Sequence, residues 1–274
     1  MRAVSENRFL SEGYPELEKI GVSHYRLAQE TKSRVPEILE CLGRLIDLST
    51  GSRSVVVVGC GPNAWSVKAL LECGYDAVGV EPLAESARAA VEFLGEPGRV
   101  WQARAERLPF ADDSQRIILM ESVLEHVDSP VRSVAEAYRV LVPGGVLYIY
   151  TTNRLKFSLT GKNDEFRVRF YNWFPRIVKE CYVYEHLQHD PSLANYAVRP
   201  AVHWFTFAEL CDLGRRVGFG RFYSLLDLVE TDSPSIQRSV LRRWLFRKVR
   251  RSPWLRALAL TQTGSSIFML KRPN

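Results

Sequence analysis

The stretch Val55–Ser66, VVVVGCGPNAWS, decides the fold of this chain. Its four consecutive β-branched residues predict a short strand that is buried on both faces, as strands of parallel sheets are. Gly59 and Gly61 follow at once, and glycine lets the backbone turn sharply and approach a ligand closely. A helix is predicted next, over 66–73, and Gly74 ends it. A glycine loop between a strand and a helix is typical of a nucleotide-binding unit.

Strands and helices alternate on both sides of this loop. Periodicity predicts further helices over 24–48, 83–94 and 131–141, and further strands over 76–81, 100–103, 117–120 and 145–150. The pattern returns near the C-terminus, with strands predicted over about 222–229 and 265–273. This alternation predicts an α/β fold with a doubly wound, mostly parallel, Rossmann-like sheet of seven strands.

Four segments are expected along the chain. They are an N-terminal helical segment (1–50), the Rossmann-like core (51–153), an insertion (154–205), and the C-terminal part of the core (206–274). The insertion is rich in aromatic residues, which suits either a helical, aromatic cap over a substrate pocket or a plain hydrophobic lid. It also holds His186 and His189, which could share one helix face.

The composition is that of an ordinary globular protein, with 46% hydrophobic and 25% charged residues in 274. The sequence contains no run of about 18 apolar residues, so no membrane span is predicted, and the N-terminus lacks the apolar segment of a signal peptide. The five cysteines are scattered, with no spacing typical of zinc sites or disulfide frameworks. These features predict a cytoplasmic protein with reduced thiols.

The basic charge is concentrated at the C-terminus, because residues 233–274 contain ten Lys or Arg and no Asp or Glu. The segment 235–260 is predicted to be amphipathic. One stripe of this helix is apolar and consists of Leu241, Trp244, Leu245 and Val249. The opposite stripe is basic and consists of Arg243, Arg247, Arg250 and Arg251. Three interpretations stay open: a helix packed on the domain, a peripheral contact with an anionic inner-membrane surface, and a contact with nucleic acid. Nucleic acid is the least favoured, since no RNA-binding module is visible.

The glycine loop alone does not name its ligand. Residues 59–64 fit GxGxxA, the dehydrogenase variant, whereas the methyltransferase variant GxGxG would need a third glycine in place of Asn63. Asn63 tolerates a left-handed backbone and could replace that glycine. Glu81 ends the second predicted strand, where a carboxylate can accept hydrogen bonds from both hydroxyls of a ribose.

Three later stretches decide between these variants. VGVEP (78–82), RAERLPFADDSQRIILMESVLEHV (104–127) and EAYRVLVPGGVLYIYTTN (136–153) resemble the class I S-adenosylmethionine-dependent methyltransferases, most closely the ubiquinone-methyltransferase-like small-molecule group. The resemblance implies O- or N-methylation of a small, hydrophobic or lipid-like acceptor. An NAD(P)-dependent oxidoreductase, an RNA methyltransferase and a non-catalytic relative are the alternatives. The oligomeric state is not predicted.

The resemblance also assigns a cofactor role to individual residues. The glycine loop would surround the methionine part, Glu81 would hold the ribose, and the end of the fourth strand would lie nearest the sulfonium. The implied S-adenosylmethionine-binding residues are Gly59, Cys60, Gly61, Asn63, Glu81, Pro82, Ala105, Glu106, Met120 and Ser122.

Methylation of a hydroxyl or amine requires a group that accepts a proton. Glu121, Glu125 and His126 are the candidates near the fourth strand, and His126 and Glu121 are predicted to be catalytic. Asn153 and Arg154 leave the fifth strand at the rim of the site and are predicted to contact substrate. No metal site is predicted. Some ubiquinone-type relatives hold a divalent cation with a Glu/Glu/His set, and Ser122 replaces one of those carboxylates here.

Four positions depart from the family pattern. Val57 stands where an acidic residue is usual, Arg104 and Arg116 stand where Asp is usual, and Ser122 stands where Glu is frequent. Together, these departures would permit a weakened cofactor site.

Overall fold

The computed structural model describes residues 34–155, 203–229, 239–263 and 266–273, with positions 170, 174, 175, 177, 178, 181 and 182. The predictions for 1–33, for most of the insertion, and for His186 and His189 therefore lie outside the described residues. The strands are β1 (Ser54–Val58), β2 (Asp76–Glu81), β3 (Val100–Gln102), β4 (Gln115–Glu121), β5 (Leu141–Tyr150), β6 (Arg221–Ser224) and β7 (Ser266–Leu270). The helices are α1 (described over 34–43), α2 (Trp65–Glu72), α3 (Ala84–Leu94), α4 (Pro130–Val140), α5 (Phe207–Val217), α6 (Leu225–Leu228), α7 (Val240–Arg251) and α8 (Pro253–Thr263).

The described strands form one seven-stranded sheet in the order β3-β2-β1-β4-β5-β7-β6. Strand β7 runs antiparallel to β5 and β6, while the pairings from β3 to β5 are parallel. The predicted doubly wound, mostly parallel sheet is confirmed. The chain order reverses between β1 and β4, and ligands of such sheets bind in the crevice outside the carboxyl ends of the strands at that point.

Two hydrophobic clusters pack on opposite faces of the sheet. Val56 and Val58 of β1 belong to one cluster, and Val55 and Val57 belong to the other. All four side chains are buried, so the prediction of a strand buried on both faces is confirmed. The two clusters hold the carboxyl ends of β1, β2 and β4 in fixed register.

The prediction of a strand through residue 229 is wrong, because β6 ends at Ser224 and α6 follows. The backbone N–H and the hydroxyl of Ser224 both donate to Asp227 Oδ2, at 2.8 and 2.7 Å. This Ser-x-x-Asp pattern caps a helix start, and it ends the strand although the following residues are apolar.

Strand β5 begins at Leu141, four residues before the predicted start, and contains the Pro-Gly-Gly stretch. A Cβ on Gly145 would lie 2.9 Å from the carbonyl oxygens of Arg116 and Val142. The register shift between Gln115 and Ile117 lies opposite this stretch. Glycine at position 145 therefore allows the strand to pass close to its neighbour.

The basic C-terminal segment folds as two helices, α7 and α8, with Pro253 opening the second. The predicted amphipathic helix is confirmed, and its three interpretations stay open, but the apolar stripe is not the face that it buries. Leu241, Trp244 and Leu245 are exposed, and Phe246 is the buried side chain. Among the described residues, no helix combines the length and the hydropathy that crossing a membrane requires.

Candidate active site

The loop after β1 has two glycines with left-handed backbones, and they meet different surroundings. Gly59 has φ +68° and Gly61 has φ +66°. A Cβ on Gly59 would lie 2.4 Å from Val123 Cγ2 in the loop after β4, whereas a Cβ on Gly61 would meet nothing within 4 Å. Gly59 is therefore required for packing between the two loops, and Gly61 borders open space at the crevice.

The third left-handed residue of the loop is Ala64, with φ 39°, and not Asn63. The prediction that Asn63 replaces the third glycine is therefore wrong. Ala64 is fully buried at the N-terminus of α2, and its N–H donates to Gly61 O at 3.3 Å. A small side chain fits this tight turn, which explains why the loop follows GxGxxA.

Cys60 turns its side chain beneath the loop. Its Sγ would lie 2.6 Å from a Cβ on Gly79, so the thiol packs directly on β2. Burial raises the pKa of this thiol to about 12, and the nearby carboxylate of Glu81 adds to the rise. The thiol stays protonated at neutral pH, and cofactor contact by Cys60 stays a prediction.

Glu81 lies buried at the end of β2 and joins two backbone segments. Its Oε2 accepts a hydrogen bond from Gly61 N–H at 3.0 Å, and its Oε1 accepts one from Leu83 N–H at 3.2 Å. Burial raises the pKa of Glu81, although the two backbone hydrogen bonds act in the opposite direction. Each carboxylate oxygen has a second lone pair, so Glu81 can still accept hydrogen bonds from ligand hydroxyls. The neighbouring Pro82 is exposed.

Glu121 ends β4 and connects the sheet to α1 and α2. Its Oε2 accepts from Ser66 Oγ at 3.2 Å, and its Oε1 lies 3.7 Å from the guanidinium of Arg34. Oε1 is buried and accepts no hydrogen bond from the part of the chain that the structure describes. The Arg34 guanidinium also lies over the ring of Tyr150, 4.3 Å from its centroid. Burial acts to lower the pKa of Arg34, but Glu121 and nearby tyrosines outweigh it and raise that pKa.

Sequence reasoning missed Arg34 and Ser66 as partners of Glu121. Ser66 could have been found, because it lies in the first turn of α2, the helix after the glycine loop, whose N-terminus faces the carboxyl edge of the sheet. Arg34 offered no such signal, since the periodicity of 24–48 marks the buried face of a helix but not its partner.

Glu125 is the proton-acceptor candidate that lies buried after β4. It is buried, and its Oε2 and Oε1 accept from the hydroxyls of Thr151 and Thr152 at 2.6 and 3.4 Å. Burial raises the pKa of Glu125 to about 7, although these hydrogen bonds oppose the rise. His126 is half-buried in the same turn, where its backbone N–H donates to Val123 O at 2.9 Å. The catalytic roles of His126 and Glu121 stay predictions.

The residues predicted near the adenine lie on the loop after β3, and those predicted near the sulfonium lie at the end of β4 and directly after it. Met120 and Ala105 are buried, and Ser122 is exposed with a left-handed backbone. Glu106 Oε1 accepts from the N–H groups of Asp128 and Ser129 at 2.9 and 3.3 Å, ahead of α4. Glu106 thus stabilises the start of a helix, and cofactor contact by these residues stays a prediction.

Asn153 and Arg154 are engaged within the protein. Asn153 is buried, and its Nδ2 donates to the carbonyls of Leu260 and Thr261 at 3.1 Å each. Arg154 donates to Glu209 Oε1 at 2.7 Å and to the carbonyl of Trp204 at 2.8 Å. These contacts give both side chains a structural role, while substrate contact by either stays a prediction.

The structure accommodates the departures from the family pattern outside the glycine loop. Val57 is buried in the hydrophobic cluster that includes α2. Arg104 pairs with Asp128 at 3.0 Å, and the Arg116 guanidinium donates to the carbonyls of Asp47 and Thr50. Among the described residues, no group of three or more His, Cys, Asp or Glu is placed to hold a metal ion.

The same region of the chain matches a known protein family. Residues 56–149 match a methyltransferase domain. The matched region includes the glycine loop, Glu81, Glu121 and Glu125, and this match supports S-adenosylmethionine rather than a nicotinamide dinucleotide as the cofactor.

Two curated relatives and one solved structure extend this comparison. An uncharacterized methyltransferase of Mycobacterium tuberculosis is 39% identical over 101 residues, which are 36% of this chain and 39% of the relative. An uncharacterized methyltransferase of Mycobacterium sp. is 33% identical over 126 residues, covering 46% and 48%. The chain therefore spans less than half the length of these relatives. A putative sarcosine dimethylglycine methyltransferase from Galdieria sulphuraria shares the fold, with TM-score 0.51 and 15% identity over 89% of this chain and 86% of that one.

Proposed function

We propose that this protein is a class I S-adenosylmethionine-dependent methyltransferase. The observation that carries the proposal is the glycine loop within the matched domain, where Gly61 borders open space and its N–H holds the Glu81 carboxylate. The alternative of an NAD(P)-dependent oxidoreductase rested on the GxGxxA spelling. That spelling has a local cause here, because Ala64 is buried in a tight turn.

The residues at the carboxyl edge suit this cofactor chemically. S-adenosylmethionine carries ribose hydroxyls, an ammonium group and a sulfonium group. Glu81 offers carboxylate oxygens with spare lone pairs for hydroxyls, and Glu121 Oε1 is a buried oxygen with no hydrogen bond from the described part of the chain. The two carboxylates end β2 and β4, the neighbours of β1 on either side. The positively charged groups of the cofactor would be attracted to these two carboxylates.

The bound cofactor supplies a methyl group that is already activated on a sulfonium sulfur, so the protein mainly supplies position and exclusion of water. The proposed tasks of Gly61 and Glu81 are binding and orientation. The proposed proton acceptors lie at the end of β4 and in the turn that follows. His126 and Glu121 are the predicted groups, and Glu125 has a pKa of about 7.

We propose a small, hydrophobic or lipid-like acceptor that is methylated on oxygen or nitrogen, as in the ubiquinone-methyltransferase-like group. The support is the resemblance of 104–127 and 136–153 to that group, and the density of aromatic residues between 154 and 205. Aromatic side chains are typical of pockets for apolar ligands.

Calorimetric titration with S-adenosylhomocysteine and, separately, with NADH tests the proposal. The protein should bind S-adenosylhomocysteine and not NADH. Glu81→Ala should weaken that binding by about 1–3 kcal/mol, because the ribose hydroxyls lose a charged acceptor. The matched control is Glu92→Ala, which removes an exposed carboxylate from the outer side of α3 and should leave the affinity unchanged. Binding of NADH alone would overturn the proposal.

A second assay tests the acceptor class. Release of S-adenosylhomocysteine is measured with a panel of phenols, primary amines and long-chain quinols, together with an unmodified RNA. Turnover that rises with the apolar length of the acceptor supports the proposed class. Turnover with RNA alone, or with none of the panel, contradicts it.

A further inference from the structure

The two C-terminal helices present large apolar side chains to solvent. Trp254 is 87% exposed, Leu241 is 70% exposed, Leu258 is 65% exposed and Trp244 is 54% exposed. We call the surface formed by the exposed apolar and basic side chains of α7 and α8 the C-terminal patch. Its members used below are Leu241, Trp244, Leu245, Arg247, Lys248, Arg251, Trp254 and Leu258.

This exposure reverses the usual arrangement of an amphipathic helix, which buries its apolar stripe against the domain. Helix α7 turns Phe246 inward, and α8 has no buried residue among those that the structure describes. The most exposed side chains of the patch, Leu241 and Trp254, therefore add little to the packing of this chain. Contiguous exposed apolar surface is typical of a site that meets another surface.

Polar anchors hold α8 in this orientation. Arg256 forms a two-pronged ion pair with Asp227, with Nη1–Oδ1 at 2.6 Å and Nη2–Oδ2 at 2.9 Å. At the other end of the helix, Asn153 binds the carbonyls of Leu260 and Thr261. Because both anchors are hydrogen-bonded to the core of the protein, the exposure of Trp254 and Leu258 is a property of the folded chain.

Basic groups are interleaved with the apolar ones on the exposed side of α7. Trp244, Lys248 and Arg251 are spaced four and seven residues apart and share one helix face. The Lys248 ammonium lies 5.7 Å from the centroid of the Trp244 ring. Residues 233–274 contain no Asp or Glu that could neutralise this charge from within the segment. Helices with this mixture of tryptophan, leucine and basic residues lie in the interface of anionic membranes.

We propose that the C-terminal patch docks this protein on the surface of an anionic lipid bilayer. A second copy of the chain is a poorer partner, since two identical basic surfaces repel each other. A nucleic acid would use the arginines but not the exposed Leu241, Trp254 and Leu258, whereas the headgroup boundary of a bilayer accommodates both. Asn153 joins α8 to the chain just after β5, so docking also brings the carboxyl edge of the sheet near the lipid.

Flotation of the full chain with vesicles tests this proposal independently of any methyl transfer. The vesicles are pure phosphatidylcholine or phosphatidylcholine with about a quarter phosphatidylglycerol. The protein should float with the anionic vesicles only, and added salt should weaken its binding. Arg247→Gln/Lys248→Gln/Arg251→Gln should lower the partition coefficient about a hundredfold, as expected for the loss of three interfacial charges. Trp254→Ser/Leu258→Ser, which removes two exposed apolar side chains, should abolish flotation altogether.

Two matched controls separate docking from general effects. Arg88→Gln/Arg132→Gln/Arg216→Gln removes three exposed charges from α3, α4 and α5 and should float like the unaltered protein. Trp101→Ser removes an exposed tryptophan from β3, at the far edge of the sheet, and should do the same. Circular dichroism confirms that each variant is folded. The proposal is overturned if the unaltered protein does not float, if either patch variant floats normally, or if only a labelled RNA oligonucleotide is bound.

Discussion

The glycine loop and the C-terminal patch are opposite kinds of structure in one chain. In the loop, Gly59 has no room for a Cβ, and Glu81 holds two backbone N–H groups. In the patch, Trp254 and Leu258 lie mostly exposed to solvent, and their helix is held by polar anchors. Tight internal contacts thus characterise the loop that we propose to bind the cofactor. Exposed apolar surface characterises the patch that we propose to meet a membrane.

The largest expected effect comes from Gly59→Ala, which tests how tight the loop is. The new Cβ would lie 2.4 Å from Val123 Cγ2, at a backbone φ of +68° that disfavours L residues. Overpacking and backbone strain together should lower the free energy of unfolding by about 3 kcal/mol. Urea unfolding of the protein without ligand measures the change.

Gly61→Ala is the matched control, because its φ is +66° but its Cβ would meet nothing within 4 Å. It should lose only the strain, about 1 kcal/mol. Equal losses for the two variants would show that Val123 does not restrict the loop.

The second prediction concerns Glu125, which carries the site's clearest pH signature. Its pKa is about 7 in the folded protein and near 4.5 in the unfolded chain, so the folded state retains its proton between these values. Stability should therefore fall as the pH rises from 4.5 to 7, by up to about 3 kcal/mol, and change no further above pH 7. Glu125→Gln removes this titration, so its stability should fall less than that of the unaltered protein through that window. Thermal or urea unfolding at several pH values compares the two proteins.

Glu92→Gln is the control for Glu125→Gln, since Glu92 is exposed on α3. Its stability should follow that of the unaltered protein at every pH. If the curve of Glu125→Gln also runs parallel to that of the unaltered protein, Glu125 does not hold a proton in the folded state.

Much of the fold could be predicted from the sequence because the relevant signals are local. The four valines before Gly59 predicted a strand buried on both faces, and the alternation of elements predicted the mostly parallel sheet. The end of β6 was predicted wrongly, since the apolar residues after Ser224 outweighed a Ser-x-x-Asp cap in the pattern. Local hydrogen bonds ended the strand where hydropathy alone would have continued it.

The candidate site was less predictable because it depends on contacts between distant segments. Residues of the glycine loop could be chosen by type, but only the structure shows that Ala64 takes the left-handed position. The burial of Glu125 against Thr151 arises from the pairing of β4 with β5, which no local pattern reveals. What covers the apolar stripe of α7 stayed open for a related reason, since periodicity defines a face and not what that face touches.

The third prediction concerns the ion pair between Arg256 and Asp227, which anchors α8 to the rest of the protein. Arg256→Gln removes the ion pair with Asp227 and should lower the free energy of unfolding by about 1 kcal/mol, since Arg256 is partly exposed. Burial acts to raise the pKa of Asp227, but hydrogen bonds from Ser224 and Arg256 outweigh it and lower that pKa. The pair therefore stabilises the protein above the ordinary pKa of aspartate, and this stability is lost as the pH falls through the lowered value. Urea unfolding at neutral and acid pH measures both effects.

Arg215→Gln is the control for Arg256→Gln, because it removes an ion pair with Asp212 in which both side chains are well exposed. It should change stability by only a few tenths of a kcal/mol. A loss as large as that of Arg256→Gln would mean that α8 is not specially anchored.

The smallest expected effect on stability is that of Trp254→Ser, which tests directly whether the side chains of the patch are free of packing. An indole that is 87% exposed buries little area on folding, so its removal should change the free energy of unfolding by less than about 0.5 kcal/mol. Phe246→Ser in the preceding helix removes a buried ring and should cost several times more, about 3 kcal/mol. Urea unfolding of both variants measures the contrast. A large loss for Trp254→Ser would show that its ring packs within the protein, and the patch would then have no free apolar face to offer a membrane.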